Sequence, residues 1–321
     1  MTVLPLITRP IDNTAISAYM TCPREYYYSM LRHRRPISKS PPLHFGSAWH
    51  EALAAHYRGG TLEDATRSVI NFWGDGHRAE GSDYRTAPRC IMDFEQYLRH
   101  YPVDADRATT VGYPDAPLVE IATEIGGTDL SFDYAGKLDR IITQGGLGYV
   151  EDHKTTSRLD KHYFSQFELS NQMMGYTWMA QQFAPSIETV GVRINLSHVL
   201  TKKTEFHRQT ITFTKTQLSG WARNMDSWYH RLLDDYMRLH LTNGGSPDEL
   251  EIGTDIAAWL MRQEAFPSHY GDNGCSRKFG VCTYNRVCGS SPRIRERILE
   301  QDFELSPWNP LTADDEEESK P

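Results

Sequence analysis

The sequence predicts a mixed α/β protein with a helical N-terminal part, strands in the middle and a C-terminal cysteine loop. Three observations carry this reading. Apolar residues recur at helical steps up to about residue 101, and extended segments take over from Leu118. Three of the five cysteines then fall within residues 275–288, in a stretch containing Gly, Pro and Asn and poor in aliphatic side chains.

Residues 15–31 carry bulky side chains at helical spacing, and residues 45–57 repeat Phe45, Trp49, Leu53 and His56 at steps of three or four. Pro41-Pro42 separates these two helices. Two further helices are predicted over residues 62–73 and 87–101. Extended segments follow at 118–125, 130–143 and 147–155, forming an antiparallel three-strand unit. A helix over 160–183 precedes strands at 189–199 and 205–213 and a long helix from 215 to about 241. There is no internal repeat and no long linker, so residues 1–308 read as a single domain. Residues 309–321 read as a disordered acidic tail, because the run from Asp314 to Glu318 has no apolar residue to dock it.

With 39% hydrophobic and 24% charged residues, the composition is that of a soluble globular protein. The N-terminus lacks a basic segment followed by an apolar stretch, and no run approaches the roughly 18 apolar residues of a membrane span. The expected location is the cytoplasm, with no membrane partner. A formal charge of -8 repels nucleic acid at long range, so a nucleic-acid site must be a local basic surface. Basic residues gather at Arg32 to Arg35 with Lys39, at Lys202 and Lys203, at Arg277, Lys278 and Arg286, and at Arg293, Arg295 and Arg297. Such groups also occur as ordinary solvated faces. Five unevenly placed cysteines are too few for a secreted disulfide scaffold, and the triplet Cys275, Cys282 and Cys288 has the look of a ligand cluster.

The densest chemistry lies in FDYAGKLDRIITQGGLGYVEDHKTT. Gly145-Gly146 can adopt the positive φ values of a two-residue hairpin turn. Centred there, the turn pairs residues whose numbers sum to 291, so Asp139 faces Asp152 at about 5 Å. Lys154, two residues on, shares the face with Asp152. Crowding two carboxylates and a lysine is costly unless their charges are fixed. A divalent cation does this, because hard oxygen ligands suit magnesium or manganese. An exposed hairpin with a surface salt bridge between Asp152 and Lys154 fits the same spacing.

Gly136-Lys137-Leu138-Asp139-Arg140 followed by Asp152-His153-Lys154 resembles the GxxD and (D/E)xK motifs of the PD-(D/E)XK nuclease superfamily, in its RecB-like branch. That branch includes the CRISPR-associated RecB-like exonucleases and the AddB nuclease domain. Three further segments match it in order. Phe45 to His50 resembles the helix that supplies a histidine ligand, Gln172 to Tyr176 resembles the QxxxY motif, and Ser17 to Pro23 resembles the opening helix.

The resemblance implies a restriction-endonuclease-like core, a mixed central β-sheet flanked by helices. It also implies a divalent ion, Mg2+ or Mn2+, held by His50, Asp139, Asp152 and the carbonyl of His153. Lys154 would orient or activate the attacking water, while Gln172 and Tyr176 would touch the DNA backbone or the ion's waters. Glu120 and Glu124 are both available upstream, with Glu120 favoured and only at one remove from the ion.

In RecB-like nucleases that carry a metal cluster, one cysteine before the core joins three after it, and Cys22 with Cys275, Cys282 and Cys288 has that distribution. Four thiolates suit a 4Fe-4S cluster or zinc, and the resemblance favours the cluster. The usual spacing is a two-residue gap and then a five-residue gap. Here Cys282 to Cys288 keeps the five, but Phe279 stands where the usual cysteine would, and Cys275 must replace it through a longer loop. Cys90 is expected to be a buried thiol.

The expected function is metal-dependent hydrolysis of DNA phosphodiesters, as an exonuclease on single-stranded ends in recombination, repair or phage DNA processing. No P-loop of the form GxxxxGK(S/T) is present, so any motor would come from a helicase or recombination partner. The rival expectation is a non-catalytic iron-sulfur or zinc DNA-binding subunit of a larger complex.

Overall fold

The computed structural model describes residues 10–37, 41–74, 83–102, 108–112, 116–241, 256–271, 273–277 and 280–311. Lys39, Lys278, Phe279 and the acidic run from Asp314 to Glu318 lie outside the described residues. In chain order the elements begin with β1 (Ile11–Asp12), α1 (Asn13–Thr21), α2 (Pro23–Tyr26), a π-turn (Tyr27–Leu31) and β2 (Arg34–Pro36). Next come α3 (Pro41–Tyr57), α4 (Leu62–Trp73), α5 (Ala87–His100), β3 (Thr109–Thr110), β4 (Val119–Ile125), β5 (Tyr134–Gln144) and β6 (Leu147–Thr156). The remainder is α6 (Asn171–Phe183), β7 (Thr189–Val199), β8 (Thr204–Thr212), α7 (Lys215–Leu241), α8 (Ile256–Glu264), β9 (Ser276–Arg277), β10 (Gly280–Val281), α9 (Asn285–Cys288), α10 (Pro292–Asp302) and β11 (Phe303–Leu305).

The chain divides into two compact units. One takes Lys39–Ile125, Gly136–Trp221 and Leu311–Pro321, and the other takes Met1–Ser38, Gly126–Ala135 and Ala222–Pro310.

In the first of these units the sheet runs β5-β6-β7-β8, with β3 and β4 also pairing β5. β5 and β6 are antiparallel, β6 and β7 parallel, and β7 and β8 antiparallel, so the sheet is mixed, as the sequence predicts. The hairpin turn is where the glycines place it. Gly145 and Gly146 have φ of 60° and 85°, and Arg140 pairs with Glu151 and Ile141 with Val150, the register in which numbers sum to 291. The alternative of an exposed hairpin with a surface salt bridge does not hold. β6 has β5 on one side and β7 on the other, and Asp152 is 2% exposed.

Side chains alternate across β6. Glu151 and His153 face the helices α3 and α5, where His153 stacks on Tyr57. Lys154 faces α6 and donates to Gln172. Helices α3, α4 and α5 share a core of Phe45, Trp49, Leu53, Val69, Trp73 and Phe94, and Cys90 is fully buried in it. Gly136 admits α6 closely, because a Cβ there would lie 3.0 Å from Met179 Sδ and 3.5 Å from Tyr176 Cε1. This gives the glycine of the GxxD motif a packing role.

The other unit centres on Phe266, fully buried among Tyr19, Tyr26, Tyr27 and Tyr236, with its carbonyl accepting from Arg24 Nε at 2.7 Å. Its short strands β2 and β11 pair antiparallel. The single helix expected over residues 15–31 is broken at Cys22, whose φ of -160° and ψ of 112° are extended. Pro23 causes this, since its ring excludes the helical conformation from the residue before it. The helix expected over 160–183 likewise starts late. A 3-10 turn at Phe164–Phe167 comes first, and α6 begins behind the N-cap of Ser170, whose side chain accepts from Met173 N.

Candidate metal centre and active site

Four elements of the sheet-bearing unit converge on one cluster of acids. α3 supplies His50, β4 Glu120, β5 Asp139, and β6 Asp152 with Lys154. A ring nitrogen of His50 and carboxylate oxygens of Glu120 and Asp139 lie within 4.8 Å of one another. His50 Nδ1 is 3.5 Å from Asp139 Oδ1 and 4.0 Å from Glu120 Oε1, and its Nε2 donates to the His153 carbonyl at 3.0 Å. The carbonyl expected to complete an ion's shell is therefore engaged by the histidine of the same site.

Past Arg140 and Glu151 the β5-β6 ladder stops, and Asp139 Oδ2 replaces it by accepting from the His153 amide at 2.7 Å. Lys154 Nζ donates to Asp152 Oδ1 at 3.1 Å and stands 2.8 Å from Oδ2. It also donates to Gln172 Oε1 at 3.3 Å, and Gln172 Nε2 donates to Tyr176 OH at 3.0 Å. The residues of the (D/E)xK and QxxxY motifs thus form one chain of polar contacts.

Glu120, expected one step removed, lies within the cluster. Its Oε2 pairs with Lys137 Nζ at 2.6 Å, and its Oε1 is buried without a hydrogen-bond donor. Its backbone has a φ of 54°, a conformation that costs a non-glycine residue on the order of 1 kcal/mol. A buried carboxylate oxygen without a donor, beside a second carboxylate and an imidazole, fits a divalent cation.

The proton affinities express the same crowding. Burial works against a charged His50, but Asp139 and Glu120 outweigh it and raise the ring to about 9. Burial likewise opposes ionisation of Asp139, yet His50, His153 and Lys154 hold it well below the usual carboxylate range. Burial raises Asp152 to about 6, with Asp139 adding to the effect and Lys154 opposing it. Lys154 is raised despite its burial, because Asp152 and Asp139 face it, so its ammonium is held charged.

Sequence reasoning missed the polar network on the other face of β6. Glu151, fully buried, meets Arg140 Nη1 at 2.7 Å and Arg193 Nη2 at 3.0 Å, with Arg208 Nε 3.8 Å away. Arg208 Nε donates to Asn195 Oδ1 at 3.1 Å, which orients the amide so that Nδ2 donates to His153 Nδ1 at 3.0 Å and to Tyr97 OH at 2.8 Å. Burial lowers His153 to about 4, so the ring is neutral and carries its proton on Nε2. The signal was available. The register that pairs Asp139 with Asp152 also pairs Arg140 with Glu151.

In the other unit, Cys22 and Cys275 both meet the backbone of His269. The His269 amide donates to Cys22 Sγ at 3.4 Å, and Cys275 Sγ donates to the His269 carbonyl at 3.5 Å. The Cys282 amide donates to the Cys275 carbonyl at 2.9 Å. Burial pushes the Cys282 and Cys288 thiols up, the latter to about 11, and Cys22 lies near enough to both to add to the effect. All four are free thiols. Of the expected basic groups, Arg32 and Arg34 pair with Glu296, Arg277 with Glu25 and Arg286 with Asp302. Among the described residues no helix is long and apolar enough to cross a membrane.

A comparison with curated proteins finds no match. Among solved structures, one titled "Crystal structure of SSO0001" is 13% identical over 68% of this chain and 75% of that one, with a TM-score of 0.30. The model of the PD-(D/E)XK nuclease superfamily matches residues 13–289. That span takes in both carboxylate motifs and all four of the clustered cysteines, and the chain belongs to the PD-(D/E)XK nuclease superfamily.

Proposed function

We propose that the protein is a RecB-like exonuclease acting on single-stranded DNA ends, with His50, Glu120, Asp139 and Asp152 holding a Mg2+ or Mn2+ ion. The observation that carries this is the donor-less buried Oε1 of Glu120, set in one cluster with His50 and Asp139. When bound, the ion would polarise the scissile phosphate and offset the charge that builds on it.

The protein's own groups do the rest. Lys154 is held protonated by Asp152 and Asp139, so it acts as a donor and a fixed positive charge, orienting water against the phosphate. Gln172 fixes Lys154 from the side of α6, and Tyr176 fixes Gln172. His153 holds Asp139 through its backbone amide, and the network of Asn195, Arg208 and Tyr97 holds His153.

Cys22, Cys275, Cys282 and Cys288 are proposed to ligate a 4Fe-4S cluster. The shared contacts of Cys22 and Cys275 with His269, and the proximity of Cys22 to Cys282 and Cys288, support this reading. The cluster would act as a staple between segments far apart in sequence.

The test is incubation of anaerobically purified protein with end-labelled linear single- and double-stranded DNA and with circular single-stranded DNA, in Mn2+. Shortening of the linear single strand with the circle intact is the expected result. Cleavage of the circle would make it an endonuclease, and no cleavage in any divalent metal would favour a non-catalytic DNA-binding subunit.

A further inference from the structure

The β7-β8 hairpin carries a second set of ligands unlike the first. In its antiparallel register His198 pairs with Glu205 and Leu196 with His207, so His198, Glu205 and His207 lie on one face of the two strands. One ring nitrogen of each histidine and a carboxylate oxygen of Glu205 lie within 4.8 Å of one another. His198 is 9% exposed, and its Nδ1 is 3.3 Å from Glu205 Oε2. The other carboxylate oxygen, Oε1, pairs with Lys203. His207 Nε2 is buried without a hydrogen-bond partner. A buried imidazole nitrogen left unpaired costs on the order of 1 kcal/mol or more, which a ligand at that nitrogen would relieve.

Two imidazoles and one carboxylate form a donor set for a borderline transition metal, in contrast to the acid-rich set around Asp139. Two neutral rings and one carboxylate carry too little negative charge to strip water from Mg2+, whereas nitrogen ligands suit zinc. Glu205 and His207 lie on the edge strand β8 and are only partly buried, so water can fill the remaining coordination positions. Parallel pairing of Thr156 with His198 sets these residues on the same sheet face as Asp152 and Lys154.

We infer that His198, Glu205 and His207 form a second metal site, selective for a transition metal such as Zn2+ and separate from the catalytic cation. The site adds positive charge to the sheet face that carries the candidate active site, and it does not depend on the cysteines.

The test is equilibrium dialysis of the anaerobically purified full-length protein against Zn2+ in excess Mg2+, with zinc and iron counted per chain. The wild type should retain one more zinc than His198→Ala/His207→Ala, with equal iron in both. Co2+ in place of Zn2+ should give visible ligand-field bands that the double variant loses, without the thiolate charge-transfer bands of a cysteine site. Equal zinc in the two proteins overturns the inference. Should the double variant fail to fold by circular dichroism, Glu205→Gln decides alone. Zinc affinity weakened about tenfold or more supports the site, and unchanged affinity refutes it.

Discussion

Neighbouring residues on β6 live under opposite electrostatic regimes. Glu151 has two guanidiniums in direct contact and a third near by, and two of these arginines, Arg140 and Arg208, stack in turn on Tyr57 and Tyr101 at 3.6 Å. Asp152, one residue on, shares its surroundings with Asp139 and has Lys154 as its cation. On the first face the carboxylate is fully paired within the protein, and the network rigidifies the strand. The second crowds Glu120, Asp139 and Asp152 together and leaves Oε1 of Glu120 without a donor, and that unmet oxygen is what a divalent cation would bind. Full internal pairing marks scaffold, and incomplete pairing marks chemistry.

Substitutions on the incomplete face should break function first. Lys154→Ala and Asp139→Ala are expected to lower cleavage about a thousandfold or more while far-UV circular dichroism is kept. Undiminished rates in either variant would remove that residue from the active site.

The fully paired carboxylate should govern acid stability. Burial favours neutral Glu151, but Arg193 and Arg140 outweigh it and hold the carboxyl below its ordinary range. Its folded affinity for a proton is depressed, so its stabilisation is present above about pH 4.5, the ordinary glutamate range, and is lost as pH falls further toward the folded value. Urea melts of wild type and Glu151→Gln between pH 3 and 7 should diverge at neutral pH and converge in acid. Parallel curves would mean that Glu151 is not the source.

The sequence made some of this legible and hid the rest. The hairpin register followed from Gly145-Gly146 because a two-residue turn fixes every pair after it. Strand bounds at Thr189–Val199 and helix bounds at Leu62–Trp73 and Lys215–Leu241 were read directly from periodicity. Glu120 could not be placed, because its approach to His50 depends on a positive φ in β4 that no local pattern announces. The Glu151 network was hidden for another reason, since Arg193 and Arg208 come from strands whose order in the sheet is a tertiary fact. The break at Cys22 was missed although Pro23 signalled it, because helical spacing was read across the proline.

The cysteine cluster is a third regime, in which a cofactor would hold the chain together. Cys22→Ser, Cys275→Ser, Cys282→Ser and Cys288→Ser should each bleach a brown protein and lower its melting temperature, whereas Cys90→Ser should keep the colour. About one zinc per chain without iron or acid-labile sulfide would name zinc as the metal at that site. The smallest effect is expected at His50. His50→Ala should weaken Mn2+ binding about tenfold and Mg2+ binding less, because an imidazole nitrogen suits the softer ion. Calorimetric titrations showing equal losses would place His50 outside the ion's shell.

The contrast between adjacent carboxylates is tested most directly by Glu151→Gln and Asp152→Asn, each measured for cleavage of end-labelled DNA in Mn2+ and for unfolding in urea at pH 7. Asp152→Asn should abolish cleavage and leave stability unimpaired. Glu151→Gln should cost about 3 kcal/mol of stability and still cleave at temperatures where it is folded. An Asp152→Asn protein that cleaves like wild type, or a Glu151→Gln protein as stable as wild type, would contradict the account.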